Sequence, residues 1–270
     1  MKGRNTKAMR NEATQTFEHY FSQKEGTDIY FLGADTGVSL FVDILCNGEK
    51  IVGDAPDMVI LKNDTAIIIE HFEFDCFRVT RKGSSNRIEQ ARIERAQRQL
   101  PVTREGTLFH DKIKADCSYH DYIANVSRSF KGHYARIPDY KHNLTQRGII
   151  NEKTKIKVMF LIEDVSPIGT IAIDDQSERQ HVVSVTLAQS LEFLQLFSQS
   201  VDLDYVLCCS SAGSNEYVWF IDRLELGAYE EKKCDYAHMH FLVSNPSVVG
   251  INMVIADDNL SASNTVDTVK

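Results

Sequence analysis

The stretch Met58-Val-Ile-Leu-Lys-Asn-Asp-Thr-Ala-Ile-Ile-Ile-Glu-His-Phe-Glu-Phe74 most constrains what this chain can fold into. Two apolar runs flank Asn63-Asp64, a pair that tolerates the positive φ of a two-residue hairpin turn. With that turn Lys62 pairs with Thr65, and the register carries Asp57 opposite Glu70. The second run is apolar on both faces over Ile67, Ile68 and Ile69, which predicts a strand covered from both sides, as in a layered α/β domain.

The same register makes a chemical statement. Directly opposed residues have Cβ atoms about 4.5–5.5 Å apart, close enough for Asp57 and Glu70 to ligate one divalent cation. Alternation places both acids at one end of an apolar face that includes Val59, Ile68 and Phe72. Burying two unpaired carboxylates there is costly, so a partner is required, and Mg2+ or Mn2+ satisfies both at once. The other reading is a sheet edge at which water or a basic side chain satisfies them.

The 270 residues can bury a sizeable core as one large domain, and the 43% hydrophobic, 25% charged composition is that of an ordinary globular protein. No apolar run of about 18 residues and no signal-peptide pattern occurs, which predicts a cytoplasmic protein with no membrane partner. Six cysteines without C-x-x-C spacing imply neither a zinc knuckle nor a disulfide framework. The absence of G-x-G-x-x-G, P-loop, G-x-S-x-G and H-E-x-x-H motifs leaves nucleotide-cofactor, NTPase, serine-hydrolase and zincin classes without their signatures. A formal charge of −8 argues against a basic coat for indiscriminate DNA binding. Positive charge is nevertheless concentrated in Arg78, Arg81, Lys82, Arg87, Arg92, Arg95, Arg98 and Arg104, either a nucleic-acid groove or a solvated helix face.

Along the chain, Ala8, Met9, Ala13, Phe17, Tyr20 and Phe21 recur at helical spacing and predict an amphipathic first helix over Thr6–Gln23, carrying Glu12 and Glu18. Gly37–Leu45, Asp57–Leu61 and Thr65–Asp75 read as a three-strand meander, and Asn86–Leu100 as a helix ended by Pro101. Residues from about 101 to 150 are polar and aromatic. They read as a helical insertion, with a helix at Tyr119–Tyr134, serving as a lid, a homodimer arm or a protein-partner surface. Lys155–Ile162, Ser184–Ser198 and Asp204–Cys209 give strand, helix, strand, the pattern of a right-handed parallel crossover. Glu216–Ile221 and Cys234–Val243 read as further strands. One α/β domain over 1–257 follows, with the Asp-, Asn-, Ser- and Thr-rich 258–270 as a disordered tail.

A helix, a meander with Pro56-Asp57 at its second strand, Glu70 within a hydrophobic third strand, then helix, strand, helix, strand resembles the PD-(D/E)XK nuclease superfamily. The resemblance covers most of residues 6 to 210 outside the insertion. It implies a restriction-endonuclease-like mixed β-sheet flanked by helices, and divalent-metal-dependent hydrolysis of nucleic-acid phosphodiester bonds, DNA first. It implies Asp57 and Glu70 as catalytic metal ligands, Glu12 or Glu18 as a further acid, and Gln90 as a polar residue on the following helix. Lys82, Arg87, Gln90 and Arg92 then form the nucleic-acid-binding set. Position 72 is Phe where the family has a lysine that orients the attacking water. Lys62 projects to the wrong face, so Lys82, Arg87 or Arg92 would supply the basic group if their helix folds back over the site. Two readings follow: a nuclease, or an inactive module that binds nucleic acid or a protein.

Three further groups stand out. His71, Glu73 and Asp75 share the opposite face, with Asp54 in register with Glu73, and read as a strand turning polar or as a second acid/base cluster. His238 and His240 read as exposed strand histidines or a chelating pair. The aromatic and basic residues of Tyr119–Tyr134 read as packing for the insertion or as a stacking surface for bases.

Overall fold

Ile67, Ile68 and Ile69 lie at the centre of a seven-stranded mixed sheet. The computed structural model describes residues 14–16, 27–32, 43–76, 85–99, 107–112, 117–166, 170–174, 181–212, 215–229, 233–243 and 247–252. The first strand is β1 (Thr27–Leu32). A meander of β2 (Glu49–Val52), β3 (Met58–Lys62) and β4 (Thr65–Phe74) follows. Helix α1 (Ser85–Arg98) precedes β5 (Thr107–Lys112), and α2 (Tyr119–Tyr134) and α3 (Ile137–Gln146) precede β6 (Lys155–Asp164). Next come β7 (Thr170–Asp174), β8 (His181–Ser184) and α4 (Leu191–Ser198). The remaining strands are β9 (Tyr205–Ala212), β10 (Asn215–Asp222), β11 (His240–Val243) and β12 (Ser247–Asn252).

The order in the main sheet is β1-β10-β9-β6-β4-β3-β2. Its centre, β4-β6-β9, is parallel, and β2-β3-β4 is antiparallel. Central parallel strands need cover on both faces, and their near-continuous apolar sequences supply it. Even-numbered residues of β4 (Ala66, Ile68, Phe72, Phe74) meet Tyr122, Phe130, Tyr140, Leu144, Phe193 and Phe197 of the three helices. Odd-numbered Ile67 and Ile69 join Met58, Ile60, Met159, Leu161 and Leu45 on the other face. Two small antiparallel sheets, β11-β7-β8 and β12-β5, lie apart from the main one.

Several expectations change. Of Gly37–Leu45, residues 43–45 are helical rather than extended, in a helical stretch that runs to 47, and 37–42 lie outside the described residues. Asn47 Nδ2 donates to Asp43 Oδ1 at 2.7 Å, a pairing of residues four apart that helical geometry makes, and the turn ends at Gly48. A Cβ at Gly48 would lie 2.4 Å from Ile60 Cγ2, so glycine is required there by close approach. The first strand of the meander is therefore β2. Residues 107–112 within the expected helical insertion are a strand paired with β12. Helices α2 and α3 do not stand off the body as a lid: Tyr122, Val126, Phe130, Ile137, Tyr140 and Leu144 fill the main core. The Ser184–Ser198 helix begins only at Leu191, because Ser184 pairs with Ile171 of β7 and Ser190, extended, caps Phe193 N. Cys234 makes an isolated bridge to Ser190, and the strand expected from it starts at His240. The expected first helix lies outside the described residues except for 14–16, as does the tail. No helix among the described residues is long and apolar enough to cross a membrane, and all six cysteines are free thiols.

Candidate functional site

The β3–β4 hairpin turns where its sequence demands. Asn63 takes φ 56°, and Lys62 pairs with Thr65 and Met58 with Ile69. The next step in that register is Asp57 opposite Glu70. Gly53 N donates to Asp57 O at 3.0 Å, closing the loop that carries Pro56-Asp57. The Asp57 carboxylate reaches across the ladder, accepting from His71 N at 2.9 Å.

Glu70 is 3% exposed on a face of β4 otherwise made of Ala66, Ile68, Phe72 and Phe74, so its charge must be met by donors. They converge from α2 and α3. His133 Nδ1 lies 2.8 Å from Glu70 Oε1; a carboxylate oxygen only accepts, so His133 donates from Nδ1–H. Arg136 Nη1, in the turn between the helices, donates to the same oxygen at 3.5 Å, and Tyr140 donates its hydroxyl. The second oxygen, Oε2, is buried and has no hydrogen-bond partner among the described residues. Phe72 stacks on the His133 ring, centroids 4.6 Å apart and 9° between planes, while the Arg136 guanidinium lies 5.1 Å above the Tyr140 ring.

The electrostatics follow from crowding two acids into this corner. Burial, then the nearby Glu70 charge, push the Asp57 carboxyl up to about 6. Burial and the bond to Glu70 push the Tyr140 hydroxyl well above the ordinary tyrosine range, so it stays a donor throughout neutral pH. An orphaned buried carboxylate oxygen beside a second acid that resists ionisation is a donor set suited to a hard divalent cation. Asp57 and Glu70 are the pair that fits. Among the described residues no group of three or more His, Cys, Asp or Glu is arranged to hold a metal, so the described part of the site supplies two ligands.

The other expected site residues fall as follows. Glu12, Glu18 and Lys82 lie outside the described residues. Arg87 and Gln90 fall on α1, and Arg92 is half-buried there. The basic groups seen to reach Glu70 are His133 and Arg136, from α2 and the turn before α3 rather than from α1. Lys62 points away and pairs with Asp43. On the opposite face the His71 ring bonds Glu163 on β6 at 3.1 Å, and Thr16 also donates to Glu163. Glu163 is within reach because β6 lies beside β4 in parallel register. His238 and His240 are exposed, His238 lying 3.9 Å from Asp235. His133, Arg136 and Tyr140 escape sequence reasoning. The available signal is the 3-4 spacing of polar groups in His133…Arg136…Tyr140, together with the need of a buried Glu70 for donors.

No protein-family model, curated protein or solved structure matches the chain.

Proposed function

We propose that this chain is a divalent-metal-dependent, nuclease-like phosphodiesterase of the PD-(D/E)XK type, with Asp57 and Glu70 as ligands for Mg2+ or Mn2+. The observation that carries this reading is the buried, unpartnered Oε2 of Glu70 next to Asp57 at the open end of the hairpin. The sheet supports it: an antiparallel meander, then α1, then β6 parallel to β4, then α4 and a parallel β9, is the order the resemblance implies. Glu12 or Glu18 would complete the ligand set.

When bound, such an ion acidifies an attacking water and offsets charge developing on a phosphate. The protein's own residues hold the geometry. Tyr140 and His133 engage Glu70 only through Oε1 and so leave Oε2 presented. The Arg136 side chain, 48% exposed, brings to the site the positive charge that position 72 lacks, and His133 stacks over Phe72 itself. The substrate is nucleic acid, DNA first.

A second reading keeps the site and discards the reaction, making the protein a nucleic-acid or protein interaction module. Phe72 and the two-ligand count among the described residues favour it. Incubation of circular plasmid with Mn2+ separates the two. Nicking by the wild type that is lost in Asp57→Asn supports the nuclease. Metal binding without nicking supports the module, and neither binding nor nicking sinks both metal-based readings.

A further inference from the structure

Residues 128–147 carry Arg128, Lys131, Arg136, Lys141 and Arg147 against the single acid Asp139, in a chain whose formal charge is −8. Two of these arginines bracket the acid pair. Arg136 and Arg147 flank α3, both with helical backbone angles, so the helical frame runs unbroken from one to the other. Arg136, Tyr140, Asn143 and Arg147 follow one another at spacings of 4, 3 and 4, a single stripe along the helix. Tyr140 fixes where that stripe points, because its hydroxyl donates to Glu70.

At one end of the stripe Arg136 Nη1 lies 3.5 Å from Glu70. At the other, Arg147 Nη1 lies 3.5 Å from where a Cβ on Gly53 would stand, beside the loop whose Gly53 N bonds Asp57 O. Arg147 is exposed and, among the described residues, makes no ion pair, whereas Lys141 is drawn to Asp202 at 3.9 Å. Eleven residues of helix place the two arginine Cα atoms about 16 Å apart. A nucleic-acid strand advances about 3.4 Å per phosphate, so the stripe matches some four or five of them.

We infer that the α3 stripe ending in Arg136 and Arg147 is the nucleic-acid track of this protein, laying a phosphodiester backbone across the Asp57/Glu70 corner. This rests on the proposed function for its substrate class but not on metal binding. The stripe offers two guanidinium groups, the half-buried Asn143 amide and a buried tyrosine, with no exposed aromatic among its members. The track therefore grips phosphates first, and Asn143 is its one member with the chemistry to touch a base edge.

The test is fluorescence anisotropy with a labelled 20-nucleotide single strand and the corresponding duplex, in EDTA and again with calcium, across a salt series. Arg147→Glu is compared with Lys155→Glu at the start of β6, an exposed cation beside the hairpin turn, 72% accessible, carrying the same charge change. Circular dichroism checks that both variants fold. Expected is about tenfold weaker binding for Arg147→Glu, with the slope of log K against log salt shallower by about one, and little change for Lys155→Glu. Equal effects of the two variants, or no binding by the folded wild type, overturn the inference. Arg147-dependent binding that ignores metal, with no Mn2+ binding at Asp57, upholds the track and removes the clamp. Mn2+ binding without Arg147-dependent binding removes the track and leaves the clamp.

Discussion

Replacing Asp57 by Asn should make the metal-free protein more stable at neutral pH. Burial and Glu70 raise the Asp57 carboxyl from 3.8 to about 6. The folded state therefore holds a proton that the unfolded chain has released between about pH 4 and 6. Where the folded state binds more protons, stability falls as pH rises, and the loss is complete above the folded value. A shift of this size corresponds to about 3 kcal/mol at 1.36 kcal/mol per unit, and partial solvent access at Asp57 brings the expected cost to about 1–3 kcal/mol. Asn removes the charge while its Oδ1 can still accept from His71 N, which Asp57 Oδ2 now does at 2.9 Å. Urea unfolding in EDTA from about pH 4 to 8 gives the difference between wild type and variant. The variant should overtake the wild type as pH rises and lead by about 1–3 kcal/mol at pH 7. A difference that stays constant with pH, or a variant less stable at pH 7, refutes the argument.

Two other substitutions probe the same corner and its support. Tyr140→Phe takes one donor from a buried carboxylate oxygen and should cost about 1–3 kcal/mol in urea unfolding; no loss would mean that Glu70 does not depend on that bond. Gly48→Ala puts a methyl group 2.4 Å from Ile60 Cγ2 and 2.7 Å from Ile44 O, against the edge of the meander, and should cost about 1–3 kcal/mol in the same assay.

What the sequence discloses here follows the range of each physical signal. The hairpin is legible because a two-residue turn and strict alternation fix every partner over a few residues, and Lys62↔Thr65 then carries through to Met58↔Ile69. The strands β4, β6 and β9 are legible as short, continuously apolar runs, and α2 because Ser118 and Asp121 form a capping box ahead of a stripe of buried residues. The segment before Gly48 misleads because a brief apolar run fits a strand as well as a helix, and only the Asp43–Asn47 pairing and Gly48 mark the helix end. The start of the expected Ser184 helix misleads similarly: Ser184 ends a strand set by pairing with β7, which nothing local announces. The acid pair is legible because both members lie in one hairpin. Its donors are not, since His133, Arg136 and Tyr140 reach Glu70 from 63 to 70 residues downstream, through helices whose docking depends on the whole core.

The central claim is that Asp57 and Glu70 form a clamp for a divalent cation, and calorimetric titration of Mn2+ into the wild type, Asp57→Asn and Glu70→Gln tests it most directly. Saturable binding by the wild type, lost or weakened at least tenfold in both variants, is the expected result. No binding by the folded wild type, or equal binding by all three proteins, would contradict it.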